Sequence, residues 1–163
     1  MKKKLFSLCM FACVLVAFTA CKDDKNEPTT DIAAEAAGTY AGKMDVNVSV
    51  AGQNIMSVFD LPQQVYVSKS GTNALKLEIR NFSLGEALNI GTITLDPCAM
   101  SESGNGYDFT ANQTLTLQGI GDCPTNLTGN IDKRGNIYLD INVTATVGGM
   151  PQSITVEFGG SKS

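Results

Sequence analysis

The chain contains no histidine, and that absence removes most of the ordinary catalytic repertoire. A Ser-His-Asp or Cys-His arrangement cannot be assembled without an imidazole. The histidine-free Ser-x-x-Lys pattern fails too, because no serine is followed three places on by a lysine. Zinc wants Cys/His-type ligands in a tetrahedral set, and haem binding through histidine is excluded. Gly104-Asn105-Gly106 and Gly119-Ile120-Gly121 lack the third glycine of a dinucleotide loop and read as turns. The acids Asp96, Glu102, Asp108 and Asp122 show no calcium-loop spacing. Two carboxylates meeting in space would suffice for glycoside hydrolysis, but acids scattered on a wet face read as solubilising. The expectation is a non-enzyme with no catalytic residue, metal or cofactor.

Basic residues are scarce as well, with 12 Lys and Arg against 16 Asp and Glu, a net charge of −4. No basic cluster exists beyond Lys2, Lys3 and Lys4. Nucleic acid is therefore excluded as a partner, since phosphate neutralisation drives that affinity. Long apolar runs are missing too. The one candidate, Leu5 to Phe18, falls short of the roughly twenty residues that span a hydrocarbon core.

The stretch leading to Cys21 is more informative. Three lysines, a short apolar run and Phe18-Thr19-Ala20-Cys21 resemble a bacterial lipoprotein signal with its lipobox, Phe18 standing where Leu is usual. That resemblance implies cleavage before Cys21, with a diacylglycerol and an N-acyl chain on Cys21 and no other cofactor. Two or three acyl chains anchor stably, at about 0.8 kcal/mol per buried methylene. Cleavage removes three lysines and no acids, taking the net charge from −4 to −7. Lys22-Asp23-Asp24-Lys25 resembles the surface-export signal of some Gram-negative commensals. The expected location is the outer membrane, lipid-anchored and displayed on the cell surface, with the periplasmic face as the alternative.

The domain plan is then a signal peptide over 1–20, a lipidated flexible tether over 21–37, and a folded domain over 38–163. The tether is too polar to bury apolar surface, and extended it reaches on the order of 50 Å. Residues 31–37 can form a helical turn or two that Gly38 stops. Of five cysteines, Cys9 and Cys13 leave with the signal and Cys21 is acylated. Cys98 and Cys123 remain, an even pair in an oxidising compartment, and are expected to form a disulfide. It would close a loop of about 26 residues, contributing roughly 3.5 kcal/mol. The α-carbons must come within about 7 Å, so strand four must bend near Pro97 or loop 118–124 must fold back. Two separate buried thiols are the alternative.

From Gly38 onward the hydropathy alternates with period two. Met44, Val46, Val48 and Val50 alternate with polar residues, as do Leu75, Leu77 and Ile79, and the run from Ile137 to Val147. Such alternation means one buried and one wet face. Turn signals such as Ala51-Gly52-Gln53-Asn54, Lys133-Arg134-Gly135-Asn136 and Gly148-Gly149 separate the runs. Strands are predicted at 39–51, 54–60, 63–70, 74–82, 88–96, 106–118, 125–132, 136–147 and 150–159. With 54–70 taken as one strand broken at Pro62, there are eight. Tight hairpins favour an all-β, eight-stranded antiparallel up-and-down barrel, whose closure removes the sheet edges. A β-sandwich is the alternative.

Gly38-Thr39-Tyr40-Ala41-Gly42, Asn81-Phe82-Ser83-Leu84, Gly91-Thr92-Ile93-Thr94-Leu95 and Val147-Gly148-Gly149-Met150-Pro151 carry a resemblance. Together they are similar to the calycin-like β-barrel lipoproteins of Gram-negative commensals, over about 38–160. Gly38-x-Tyr40 also resembles the lipocalin Gly-x-Trp, in which the aromatic seals the barrel floor. The resemblance implies an antiparallel barrel on a lipid anchor, and no catalytic residues.

An eight-stranded barrel has room for side chains or one small ligand. The first functional reading is capture of a small hydrophobic ligand in a lumen lined by Tyr40, Met44, Leu77, Phe109, Ile141 and Phe158. The alternative is a packed barrel acting as a protein-interaction module, an envelope inhibitor or accessory subunit, through loops around Cys98 and Cys123. In either case Cys21→Ser is expected to move the mature chain from the membrane pellet to the soluble fraction. Metabolic labelling with palmitate, present in the parent and absent in the variant, checks this.

Overall fold

The computed structural model describes residues 31–84 and 89–163. The signal peptide, Cys21 and most of the expected tether lie outside the described residues. A short helix, α1 (Ile32–Ala36), precedes eight strands. These are β1 (Gly38–Val50), β2 (Gln53–Gly71), β3 (Ala74–Ser83), β4 (Asn89–Ser103), β5 (Gly106–Leu117), β6 (Gly121–Asp132), β7 (Asn136–Val147) and β8 (Met150–Lys162). They pair in sequence order, all antiparallel, and β8 returns to β1 to close the barrel. The sandwich alternative is set aside.

The period-two alternation maps directly onto this wall. On β7, Ile137, Leu139, Ile141, Val143 and Ala145 are buried while Tyr138, Asp140, Asn142 and Thr144 face water. Boundaries differ from expectation most in β2, β4 and β6, the last beginning at Gly121 instead of residue 125. β2 is one continuous strand: Pro62 stays in register opposite Lys43, and the irregularity is a bulge where Asp60 adopts a φ of 56°. The Asp60 N–H donates to Asp45 Oδ1 at 2.7 Å, so the bulge keeps a partner. β4 runs seven residues past its expected end, because Cys98 and Met100 beyond Pro97 still face the core.

The helix also corrects the domain plan, because residues 32–36 belong to the folded unit. Ile32, Ala33 and Ala36 are buried, and polar contacts hold the helix across one end of the barrel. Asp31 caps it through Ala34 N and pairs with Lys69, whose hydrogen bond holds the Asp31 carboxyl below its ordinary range. Lys162 Nζ donates to Glu35 O at 3.0 Å, and Tyr107 donates to the Glu35 carboxylate. Tyr40, fully buried, donates to Ala36 O at 2.7 Å, and burial pushes its phenol up to about 12. Tyr40 thus lies beneath α1 at this end of the barrel.

The opposite end is built differently. β2 pairs with β3 only over Val65–Gly71, β4 with β5 only over Ala99–Ser103, and β6 with β7 only over Thr125–Ile131. Beyond those stretches the wall divides into the β3–β4 hairpin, the β5–β6 hairpin and a ribbon in which β8 stays paired with β1 as far as Val50 opposite Gln152. One link across the β4–β5 seam is Asp96 N–H donating to Gln113 Oε1 at 3.3 Å.

Inside, ring volume is accommodated by missing side chains. A Cβ on Gly129 would lie 2.4 Å from Phe109 Cζ and 3.0 Å from Leu139 Cδ2, and one on Gly160 would lie 2.7 Å from Phe158 Cζ. Gly129→Ala is thus expected to destabilise the fold by about 1–3 kcal/mol through overpacking. Urea titration should recover part of that loss in Gly129→Ala/Phe109→Leu.

Candidate functional site

The structure brings all six expected lumen residues together. Tyr40 and Met44 are at 0% exposure, Leu77 at 0%, Phe109 at 1%, and Ile141 and Phe158 at 3%. Cross-strand pairing explains the convergence, with Met44 opposite Phe158, Phe158 opposite Leu139, and Ile141 opposite Val156. Val46, Leu75, Leu95 and Ile137 complete the same core. These side chains are buried together in one apolar cluster. A cleft of about 720 Å³ is bordered by outward residues such as Tyr138 and Glu157 and also by Phe109, Leu139 and Phe158. Others of about 640, 510 and 390 Å³ lie on the β1–β2–β3 wall, on the β3–β6 wall and beside α1.

Cys98 and Cys123 are both free thiols, so the expected disulfide is corrected to the alternative of two buried cysteines. The cause is topological. Cys98 sits on β4, opposite Leu75 of β3, whereas Cys123 sits on β6, opposite Leu115 of β5. With β5 between them, the two backbones are about two strand spacings, or roughly 9.6 Å, apart. A bridge tolerates no more than about 7 Å between α-carbons. Both residues are strand positions with inward side chains, so the loops expected around them as an interaction site do not exist. Burial, with the Asp96 charge adding, pushes the Cys98 thiol up to about 12. Burial also raises Cys123, with Asp122 adding. Such thiols hold almost no thiolate at neutral pH and are poor nucleophiles. Maleimide should therefore label neither in the native protein and both after denaturation without reductant, read by peptide mass spectrometry.

The residues that sequence reasoning missed lie at the divided end. The segments 46–59, 109–121 and 141–156, which form the β1–β2, β5–β6 and β7–β8 hairpin ends, contain no charged residue. Exposed apolar side chains concentrate there. Ile55 is 59% exposed, Met56 36%, Val147 42% and Met150 56%. Val147 and Met150 pair across their hairpin, and Met56 pairs with the inward-facing Val48, so these three face the mouth side of the wall. Large exposed apolar residues gathered in one region mark interaction surfaces more often than singly scattered ones do. The uncharged runs were visible in the sequence. Their convergence at one end was not, because hairpin order becomes geometry only once the barrel closes.

The family comparisons agree with the architecture. The profile of the calycin-like beta-barrel domain matches residues 36–161. A crystal structure of a Bacteroides fragilis NCTC 9343 protein, provisionally assigned to the outer membrane, superposes with a TM-score of 0.59 at 21% identity, covering 81% of this chain and 53% of that one. A multidomain protein including DUF1735 from Bacteroides ovatus aligns with a TM-score of 0.32 at 10% identity, covering 76% of this chain and 55% of that one. The chain thus spans about half the length of the solved structures it matches. No curated protein matches it. The profile covers most of the residues and coincides with the closed eight-stranded wall, and the chain belongs to the calycin-like beta-barrel domain family.

Proposed function

We propose that the chain is a lipid-anchored outer-membrane protein whose filled barrel presents a docking face to another envelope protein. The observation that carries this reading is the pair of uncharged hairpins at the divided end, β1–β2 over 46–59 and β7–β8 over 141–156, with Ile55, Met56, Val147 and Met150 exposed. Interface cores are depleted of charge and enriched in methionine and aromatic residues. The position of this face is consistent with the reading. The chain enters the described fold through α1 at the opposite, sealed end, so a tether leading back to Cys21 leaves the hairpins pointing away from the anchor. A ligand held in the lumen, by contrast, requires Met44, Phe109 and Phe158 to separate from a packed core at the cost of their contacts.

The test is photocrosslinking in the native host from an unnatural residue replacing Met150. A discrete polypeptide adduct is expected, and Ile55→Lys/Val147→Lys should reduce it at least about tenfold, equivalent to 1.4 kcal/mol. Both changes are at exposed positions, so thermal stability should be nearly unaltered. Crosslinks to lipid alone, or a small apolar molecule co-purifying with the barrel, would sink the proposal.

A further inference from the structure

A second surface of the barrel is unrelated to the divided end, and its register can be traced strand by strand. Asp108 on β5 lies opposite Asn130 on β6, which lies opposite Tyr138 on β7, then Gly159 on β8, then Lys43 on β1. Two residues along, Thr110, Thr128, Asp140, Glu157 and Asp45 form a parallel row across the same five strands. All of these positions lie on the outer wall, and they border the 720 Å³ trough together with Asp60. That volume falls within the range of about 300–1,000 Å³ typical of small-ligand sites.

Three properties of the trough need explaining. Tyr138 is 61% exposed although it stands mid-wall. Its ring leans over Gly159, where an added Cβ would meet Cδ1 and Cε1 at 3.7 Å, and most of the ring surface stays open to the trough. Next, Asp140 lies directly opposite Glu157, and Glu157 directly opposite Asp45. Like charges directly opposite on a sheet are destabilising. The Lys43 ammonium and the Asp60 N–H partly offset Asp45, and Asn142 Nδ2 donates to Asp140 Oδ1 at 2.7 Å, but none of the three carboxylates forms a direct ion pair among the described residues. Finally, donors are interleaved with the acceptors. Asn130 Nδ2 donates to Asp108 Oδ1 at 2.7 Å and Lys43 Nζ to Asp60 Oδ1 at 2.7 Å, while the Thr110 and Thr128 hydroxyls donate and accept.

We propose that this trough binds a saccharide. A sugar hydroxyl is donor and acceptor at once, and it is the group that a wall of alternating carboxylates, amide, ammonium and hydroxyls satisfies. An anion finds five carboxylates here, and a simple cation leaves the Asn130, Lys43 and threonine donors unused. The apolar C–H face of a pyranose ring meets the open face of Tyr138. Asp140 and Glu157 accept from adjacent hydroxyls, and charge-assisted bonds of this kind are about twice as strong as neutral ones. The repulsion along the carboxylate row is then a cost of function, offset when hydroxyl donors arrive.

The test uses the full chain in a sugar-free zwitterionic detergent. Saturation-transfer NMR is recorded with linear hexasaccharides of glucose, mannose, galactose and xylose at about 1 mM, an affinity range equivalent to roughly 4 kcal/mol. At least one should show transfer. Tyr138→Ala should weaken its binding at least about tenfold, whereas Tyr66→Ala, on the β2–β3 wall, should leave it unchanged. Asp140→Asn should weaken binding while raising Tm, a combination that a purely structural role does not produce. The proposal is overturned if no saccharide shows transfer, if Tyr138→Ala binds as well as the parent, or if spermidine occupies the trough in preference to every sugar. None of these outcomes bears on the crosslink from position 150, so the two proposals stand or fall separately.

Discussion

The filling of a fixed interior governs this molecule. Eight strands enclose a volume just wide enough for side chains or one small ligand, and Tyr40, Met44, Phe109 and Phe158 within it are all within 3% of complete burial. The fit is made by subtraction as much as by addition. Gly129 yields its side-chain space to Phe109, and Gly160 yields to Phe158. A core packed this way leaves dispersion contacts on every side of each ring.

The two ends diverge because their strands pair differently. At the sealed end β1 and β8 run together to Lys162, and α1 lies across the opening on Tyr40, Tyr107, Lys69 and Lys162. At the other end the β2–β3, β4–β5 and β6–β7 ladders stop early, so the β3–β4 and β5–β6 hairpins project separately, while the β7–β8 and β1–β2 hairpins stay joined through the β8–β1 ladder. Charge divides along the same line. Lys69, Lys133, Arg134 and Lys162 stand near the sealed end, whereas the long uncharged segments build the projecting hairpins. A polar latch thus marks one end, and uncharged hairpins with exposed apolar side chains mark the other.

Much of the fold was legible in local pattern. Leu75, Leu77 and Ile79, and the alternation from Ile137 to Val147, reported which side chains face inward, because strand geometry ties parity to face. The misread places are those where distant residues decide. Asp31–Ala37 reads as tether because a five-residue apolar helix has no stability alone, and it is ordered by Lys69 and Lys162. Residues 98–103 read as loop after Pro97, yet Cys98 and Met100 find a core that the strand itself does not announce.

The amino-acid order by itself determined eight alternating segments, a wet and a dry face on each, and the absence of any imidazole-based chemistry. Period two is a property of the extended chain and needs no partner. Only tertiary structure decided that the dry faces meet in one buried cluster, that β5 separates Cys98 from Cys123, and that Asp140, Glu157 and Asp45 stand side by side. Each of these is a relation between strands, set by register and closure, and register is a property of pairs that no single strand carries.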